Sequence, residues 1–195
     1  MSTLHLMPLA LVLPACAGHN DASQNQDLTQ YVNTLIGTDF TGNTYPGAQM
    51  PFGMVQLSPD NGIPGWDRIA GYFYPDSTIA GFSHTHLSGT GAGDLYDISF
   101  LPVMLPVRES DAPLGVHSRF SHDDETATAG YYQVRLTDYD INVELTATER
   151  CGIQRYTFPE GDGAVILNLA KAMNWDATQD SHISVVDSVT IEGYR

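Results

Sequence analysis

From residue 132 onward, apolar and polar side chains alternate along the chain. Tyr132, Val134 and Leu136 share one parity, with Gln133 and Arg135 on the other. Ile141, Val143 and Leu145 then repeat the pattern against Asn142, Glu144 and Thr146. A period of two sends successive side chains to opposite faces of a strand. Thr137-Asp138-Tyr139-Asp140, between the two runs, has turn chemistry and makes them a hairpin. Residues 153–158 read as the returning partner, closed by Pro159. After the turn Gly161-Asp162-Gly163, residues 164–169 are apolar enough for a central strand. Residues 183–186 and 189–194 form a last pair across Asp187-Ser188.

The first half alternates in shorter runs. Residues 31–36 are expected as a first strand ending at Gly37. The stretch 38–51 contains Gly42, Pro46, Gly47 and Pro51 and is largely loop. Residues 54–58 alternate and are expected to stop at Pro59-Asp60-Asn61-Gly62. Further strands are expected at 71–74, at 77–83 and at 98–103. No stretch keeps a long 3.6-residue period, so the fold class is all-β, an antiparallel β-sandwich. The chain stops at Arg195 directly after a strand, which suggests the N-terminal part of something longer.

Composition narrows the function classes. Of 195 residues 42% are apolar and 16% charged, so the chain is globular material. A net charge of −15, from eight Lys and Arg against 23 Asp and Glu, argues against a nucleic-acid partner. Such acidity suits neutral ligands such as sugars, and serves solubility equally well. No apolar run reaches the roughly 18 residues that span a bilayer. Residues 1–18 read as an export segment, apolar and then small, and 19–27 as a tether leading to the β-sandwich of 28–195. Cys16 follows the apolar run as in a lipobox, so a lipid anchor there is the expected membrane attachment. Cys151 is then expected to be a buried small residue.

One polar stretch cannot fill a core: Gly81-Phe82-Ser83-His84-Thr85-His86-Leu87-Ser88-Gly89-Thr90-Gly91-Ala92-Gly93-Asp94-Leu95-Tyr96-Asp97. His84 and His86, spaced i and i+2, would share one face of a strand and could serve zinc with a third ligand from Asp94 or Asp97. The alternative is that both rings are structural or contact a sugar. Asp94 and Asp97 read as a carboxylate pair for glycoside hydrolysis, or as acceptors from backbone amides or ligand hydroxyls. Ser83 and Ser88 lie beside histidines but in no nucleophile elbow. Trp66 and Asp67, after Pro64-Gly65, pair an indole with a carboxylate. An aromatic face stacks on the C–H face of a pyranose while a carboxylate accepts from vicinal hydroxyls. Trp66 could equally plug a core. Trp175 and Asp176 repeat the pair directly after a strand, which favours packing there.

The order of segments resembles a known family more specifically than any one of them. Tyr31-Val32-Asn33-Thr34-Leu35-Ile36-Gly37-Thr38, Tyr45-Pro46-Gly47-Ala48, Pro51-Phe52-Gly53-Met54-Val55-Gln56-Leu57-Ser58-Pro59-Asp60 and Gly65-Trp66-Asp67 come first. Gly71-Tyr72, the His84/His86 stretch, Arg155-Tyr156-Thr157-Phe158-Pro159 and Val189-Thr190-Ile191-Glu192-Gly193-Tyr194-Arg195 follow. Together they resemble the N-terminal domain of glycoside hydrolase family 92, the calcium-dependent exo-α-mannosidases. The resemblance implies a galactose-mutarotase-like supersandwich joined to a C-terminal (α/α)₆ catalytic domain that is absent here. It implies inverting removal of terminal α-mannose from N-glycans or mannans. The acid, base and calcium ligands would lie in that C-terminal domain, with no catalytic residue in 1–195. Trp66, Asp67, His84, His86, Ser88 and Asp94 would line the mannose pocket. Export would end in the periplasm or at the outer membrane of a Gram-negative bacterium. The alternative is a stand-alone, non-catalytic carbohydrate-binding β-sandwich.

Overall fold

The computed structural model describes residues 26–89, 95–107, 115–170 and 177–195. Cys16, Asp94, Trp175 and Asp176 lie outside the described residues. One sheet has the order β1 (Ala48–Gln49), β2 (Gln56–Asp60), β4 (Gly81–Ser83), β5 (Ser99–Met104) and β11 (Gly163–Asn168). The other has the order β10 (Gly152–Thr157), β9 (Ile141–Ala147), β8 (Tyr131–Leu136) and β7 (Glu125–Thr128). Two small ribbons complete it: β3 (Thr78–Ile79) with β6 (Ser118–Arg119), and β12 (His182–Val185) with β13 (Ile191–Tyr194). Every pairing is antiparallel, and the two larger sheets face one another across the core. The chain is an antiparallel β-sandwich, as expected.

The alternation at 132–145 does its work at this interface. Tyr132 pairs with Leu145, Val134 with Val143 and Leu136 with Ile141, so all six side chains emerge on one face. They are buried against Leu57, Phe82, Leu101 and Val103 of the facing sheet. Burying each large apolar side chain stabilises by about 1.5–3 kcal/mol, and a one-residue slip would turn the whole set outward.

Several expectations are corrected. Residues 31–36 form no strand. Leu28–Tyr31 is a 3₁₀ turn capped by Asp27, and the Asn33 side chain then accepts from the Leu35 amide, 3.0 Å away, which curls the chain. Local side-chain bonds of this kind compete with a ladder. Residues 71–74 form no strand either, because Gly71 turns at φ 91. Strand β2, in contrast, continues through Pro59. Gln56 donates to the His84 carbonyl and Asp60 accepts from Ala80 on the β4 side, so Pro59 points the other way. There β1 pairs only as far as Leu57, and no ladder acceptor awaits the missing N–H. Strand β11 ends its sheet among the described residues instead of lying centrally. Cys151 is exposed in the turn between β9 and β10, where Thr148 and Cys151 bond to one another.

Candidate functional site

Strand β2 delivers the chain into a loop, residues 61–76, that closes on itself. The Asn61 side chain donates to the Thr78 carbonyl (2.7 Å) and accepts from the Phe73 amide (2.5 Å), and its own amide reaches the Gly71 carbonyl. One buried amide thus ties both ends of the loop, which explains an Asn where only a turn was expected. At the tip, Trp66–Arg68 forms a 3₁₀ turn that begins at Gly65. Trp66 is 57% exposed and Asp67 is exposed, so Trp66 is no core plug in this chain. Arg68 folds back from the tip. Its Nε and Nη2 donate to the two oxygens of Asp76 at 2.6 Å each, and its guanidinium lies 4.5 Å from the centre of the Phe73 ring. A bidentate ion pair holds direction as well as distance. It fixes the face that Trp66 and Asp67 present.

Behind the loop lies a buried polar cluster. His86 is sealed from solvent, with Nδ1 2.7 Å from the Gln56 carbonyl and Nε2 2.8 Å from Asp60 Oδ1. The Ser83 hydroxyl is 3.2 Å from the same Nε2. Tyr45 and Tyr96 pack against the imidazole, with ring centres 5.1 and 5.5 Å away. The Tyr96 hydroxyl donates to the carbonyls of Arg68 and Ile69, both at 2.9 Å, directly under the Trp66 turn. His86, expected in the pocket wall, therefore lies inside the chain and reaches the loop through its neighbours.

The segment 95–98 is strained. Leu95, Tyr96 and Ile98 have φ of 75, 65 and 56. A side chain in the left-handed region costs roughly 1–2 kcal/mol, and a β-branched one is rarer still. Thr85 holds this shape: its hydroxyl donates to Asp97 Oδ2 (2.7 Å) and accepts from the Asp97 amide (3.0 Å), and its carbonyl takes the Tyr96 amide. Strain that the surroundings over-determine in this way marks a segment whose exact shape matters.

His84 does not share a face with His86, because β4 has ended at Ser83. Its Nδ1 donates to the Ile98 carbonyl, 2.9 Å away, which leaves Nε2 with its lone pair. Burial pushes the His84 pKa down, against the opposing effect of that hydrogen bond, so the neutral ring is favoured. Ser88 is exposed in the wall of a groove of about 520 Å³ that Tyr45, Gln49, Met50 and Ala129 also line. No residue of the 61–76 loop lines that groove. Burial pushes the Tyr45 hydroxyl up to about 12.

Among the described residues, no three His, Cys, Asp or Glu side chains come together as a metal site. The buried carboxylates have other employment. Asp60 faces His86, Asp76 holds Arg68, and Glu125 accepts from Tyr72 and Tyr132. These residues do not fit a calcium ion.

The sequence pattern of the glycosyl hydrolase family 92 N-terminal domain matches residues 31–195. The chain belongs to glycosyl hydrolase family 92. It is 40% identical to a family GH92 α-mannosidase from Bacteroides thetaiotaomicron solved with mannoimidazole, at a TM-score of 0.81 over 86% of this chain and 23% of that one. It is 32% identical to a family GH92 inverting mannosidase from the same organism, at a TM-score of 0.60 over 71% of this chain and 19% of that one. An uncharacterized secreted glycosidase of Arthroderma benhamiae is 28% identical over 162 residues, 80% of this chain and 20% of its own length. The family 92 chain thus spans about a fifth to a quarter of the length of these relatives. It corresponds to the N-terminal β-sandwich domain of a glycoside hydrolase.

Sequence reasoning missed the parts of this family 92 domain that act from behind. Arg68 carried a usable signal, as one of only eight cationic residues and next to the Trp66–Asp67 pair. Asp60, Ser83 and Tyr96 carried none, since each gains its meaning from a partner far along the chain.

Proposed function

We propose that this chain is the N-terminal domain of an exported, inverting exo-α-mannosidase that removes terminal α-mannose from N-glycans or mannans. Trp66 stacks on the C–H face of the sugar and Asp67 accepts from its vicinal hydroxyls. His84, Ser88 and Asp94 contribute to the surface that meets the substrate and the catalytic domain, and His86 supports it from behind. The acid, the base and a calcium ion sit on a C-terminal (α/α)₆ domain. An inverting hydrolase needs two carboxyls about 6.5–9.5 Å apart with a water between them. Asp60, Asp76 and Glu125 are committed to histidine, arginine and tyrosine partners instead.

The observation that carries this reading is an exposed tryptophan beside a carboxylate, on a loop tied at both ends, in a chain of this family. The mannoimidazole-bound and inverting mannosidases among its relatives support the substrate class and the stereochemistry. The secreted fungal relative supports export, for which Cys16 would be the lipid-bearing residue in a Gram-negative periplasm or outer membrane. The test is mannose release from an α-mannobiose. The 195-residue chain alone releases none. In the full-length enzyme, Trp66→Ala lowers kcat/KM by about 10- to 100-fold, the scale expected when a substrate is mispositioned. Release by the isolated chain would overturn the proposal. So would a full-length enzyme unaffected by both Trp66→Ala and Asp67→Ala.

A further inference from the structure

The turn that presents Trp66 and Asp67 is bonded at its end by a tyrosine from another part of the chain. Tyr96 is 2% exposed, and its ring packs edge-on against His86, as a phenylalanine ring could. Its hydroxyl reaches the carbonyls of Arg68 and Ile69, both at 2.9 Å. These are the last residue of the 3₁₀ turn and its C-cap. Carbonyls at the end of a helical turn lack partners within it. The Gly71 amide also donates to the Arg68 carbonyl, at 2.9 Å, and Tyr96 adds its bond from across the chain.

Tyr96 holds this place at a backbone cost, since its φ of 65 lies in the left-handed region. Asp97 carries the bonds that keep it there. Its carbonyl accepts from the His84 amide at 3.0 Å, and its Oδ2 accepts from the Thr85 hydroxyl at 2.7 Å. Its Oδ1 accepts from Nη1 of Arg195, directly after β13. The Arg195 side chain is only 7% exposed, in a chain with eight Lys and Arg. Its Nε donates to the Thr178 hydroxyl at 2.8 Å, which in turn donates to the Leu169 carbonyl just past β11, also at 2.8 Å. A buried cation stands only where it is paired and bonded, and Arg195 is both.

We infer that Tyr96, Asp97 and Arg195 are positioning residues for the Trp66–Asp67 turn. The Tyr96 hydroxyl ties the end of the turn, and the Asp97–Arg195 pair holds Tyr96 in place from the side of β13. The consequence for sugar rests on reading that turn as sugar-facing; the positioning itself does not.

The roles separate by substitution. Tyr96→Phe removes the tie and leaves the ring packing. Arg195→Gln takes one of three holds from Asp97, so it acts on the turn at one remove. Arg195→Lys keeps the charge without the planar fork and recovers part of the effect. Tyr156→Phe is the control, because it deletes a hydroxyl bonded to Gln154 within β10.

The test is ¹⁵N relaxation of the 195-residue chain without sugar. In Tyr96→Phe the amide order parameters of residues 66–69 fall from about 0.85 towards about 0.6, and in Tyr156→Phe they do not change. Arg195→Gln gives a smaller fall, which Arg195→Lys partly reverses. A turn that stays rigid in Tyr96→Phe overturns the inference, as does an equal fall in Tyr156→Phe. A Tyr96→Phe chain that fails to fold overturns it too, because the hydroxyl would then hold the sandwich and not the turn. A rigid turn in Arg195→Gln, or its failure to fold, overturns the assignment of Arg195 on the same grounds. In the full-length enzyme, Tyr96→Phe raises KM for an α-mannobiose about 3- to 10-fold, since a looser turn binds less well. A loosened turn with an unchanged KM upholds the positioning and overturns the sugar-facing reading.

Discussion

Gly71 sits where the loop turns back over the buried cluster, and replacing it measures how tightly that cluster supports the loop. An ideal Cβ on Gly71 would lie 2.6 Å from Asp60 Oδ1, 2.8 Å from Tyr96 Cε1 and 3.0 Å from His86 Cδ2. All three atoms belong to side chains that are buried and bonded, so none can swing away. The residue also has φ 91, a conformation that costs an alanine about 1–2 kcal/mol. Overpacking of a filled site adds about 1–3 kcal/mol. Gly71→Ala should therefore lose roughly 2–5 kcal/mol of unfolding free energy. Gly130, in the β7–β8 turn, supplies the control: its φ is 76, but an added Cβ meets nothing within 4 Å. Gly130→Ala should show the backbone cost alone, about 1–2 kcal/mol. Urea unfolding followed by circular dichroism gives both values, and their difference isolates the clash, because the backbone cost cancels. Equal losses in the two variants would refute a close-packed support. So would a Gly71→Ala chain that unfolds at the midpoint of the unaltered chain.

The other predictions concern single side chains. Arg68→Ala leaves the buried Asp76 carboxylate without its bidentate partner and should cost about 3–5 kcal/mol in the same urea assay, with Arg68→Lys recovering only part of it. Cys151 should react stoichiometrically with a thiol reagent in native buffer, measured with Cys16→Ser so that one thiol is counted; a reaction requiring denaturant would contradict its exposure. His84 is held neutral by burial, so its contribution is whole above the unfolded value of about 6.5 and is lost as pH falls below it. Unfolding free energy measured from about pH 7.5 down to about pH 5 should fall less steeply in His84→Asn than in the unaltered chain.

The sandwich was legible where its signal is local. At 141–147 each side chain's face follows from parity alone, and the observed strand begins and ends where the alternation does. The Trp66 turn was legible for a similar reason, since Pro64 and Gly65 mark a loop on their own chemistry. Residues 31–36 misled because Asp27 and Asn33 bond to nearby amides and overrule the strand pattern. Pro59 misled because whether a proline can sit in a strand depends on where the neighbouring strand stops.

What the sequence determined by itself was the fold class, the sites of most C-terminal strands and a loop around Trp66 and Asp67. All of these depend on spacing within a few residues. Only the tertiary structure decided that His86 looks inward to Asp60, 26 residues before it, that His122 closes the far end of the loop on Tyr74, and that Cys151 faces water. A side chain's burial and its hydrogen-bond partners are properties of the groups packed around it. When those groups arrive from distant strands, no local pattern carries them.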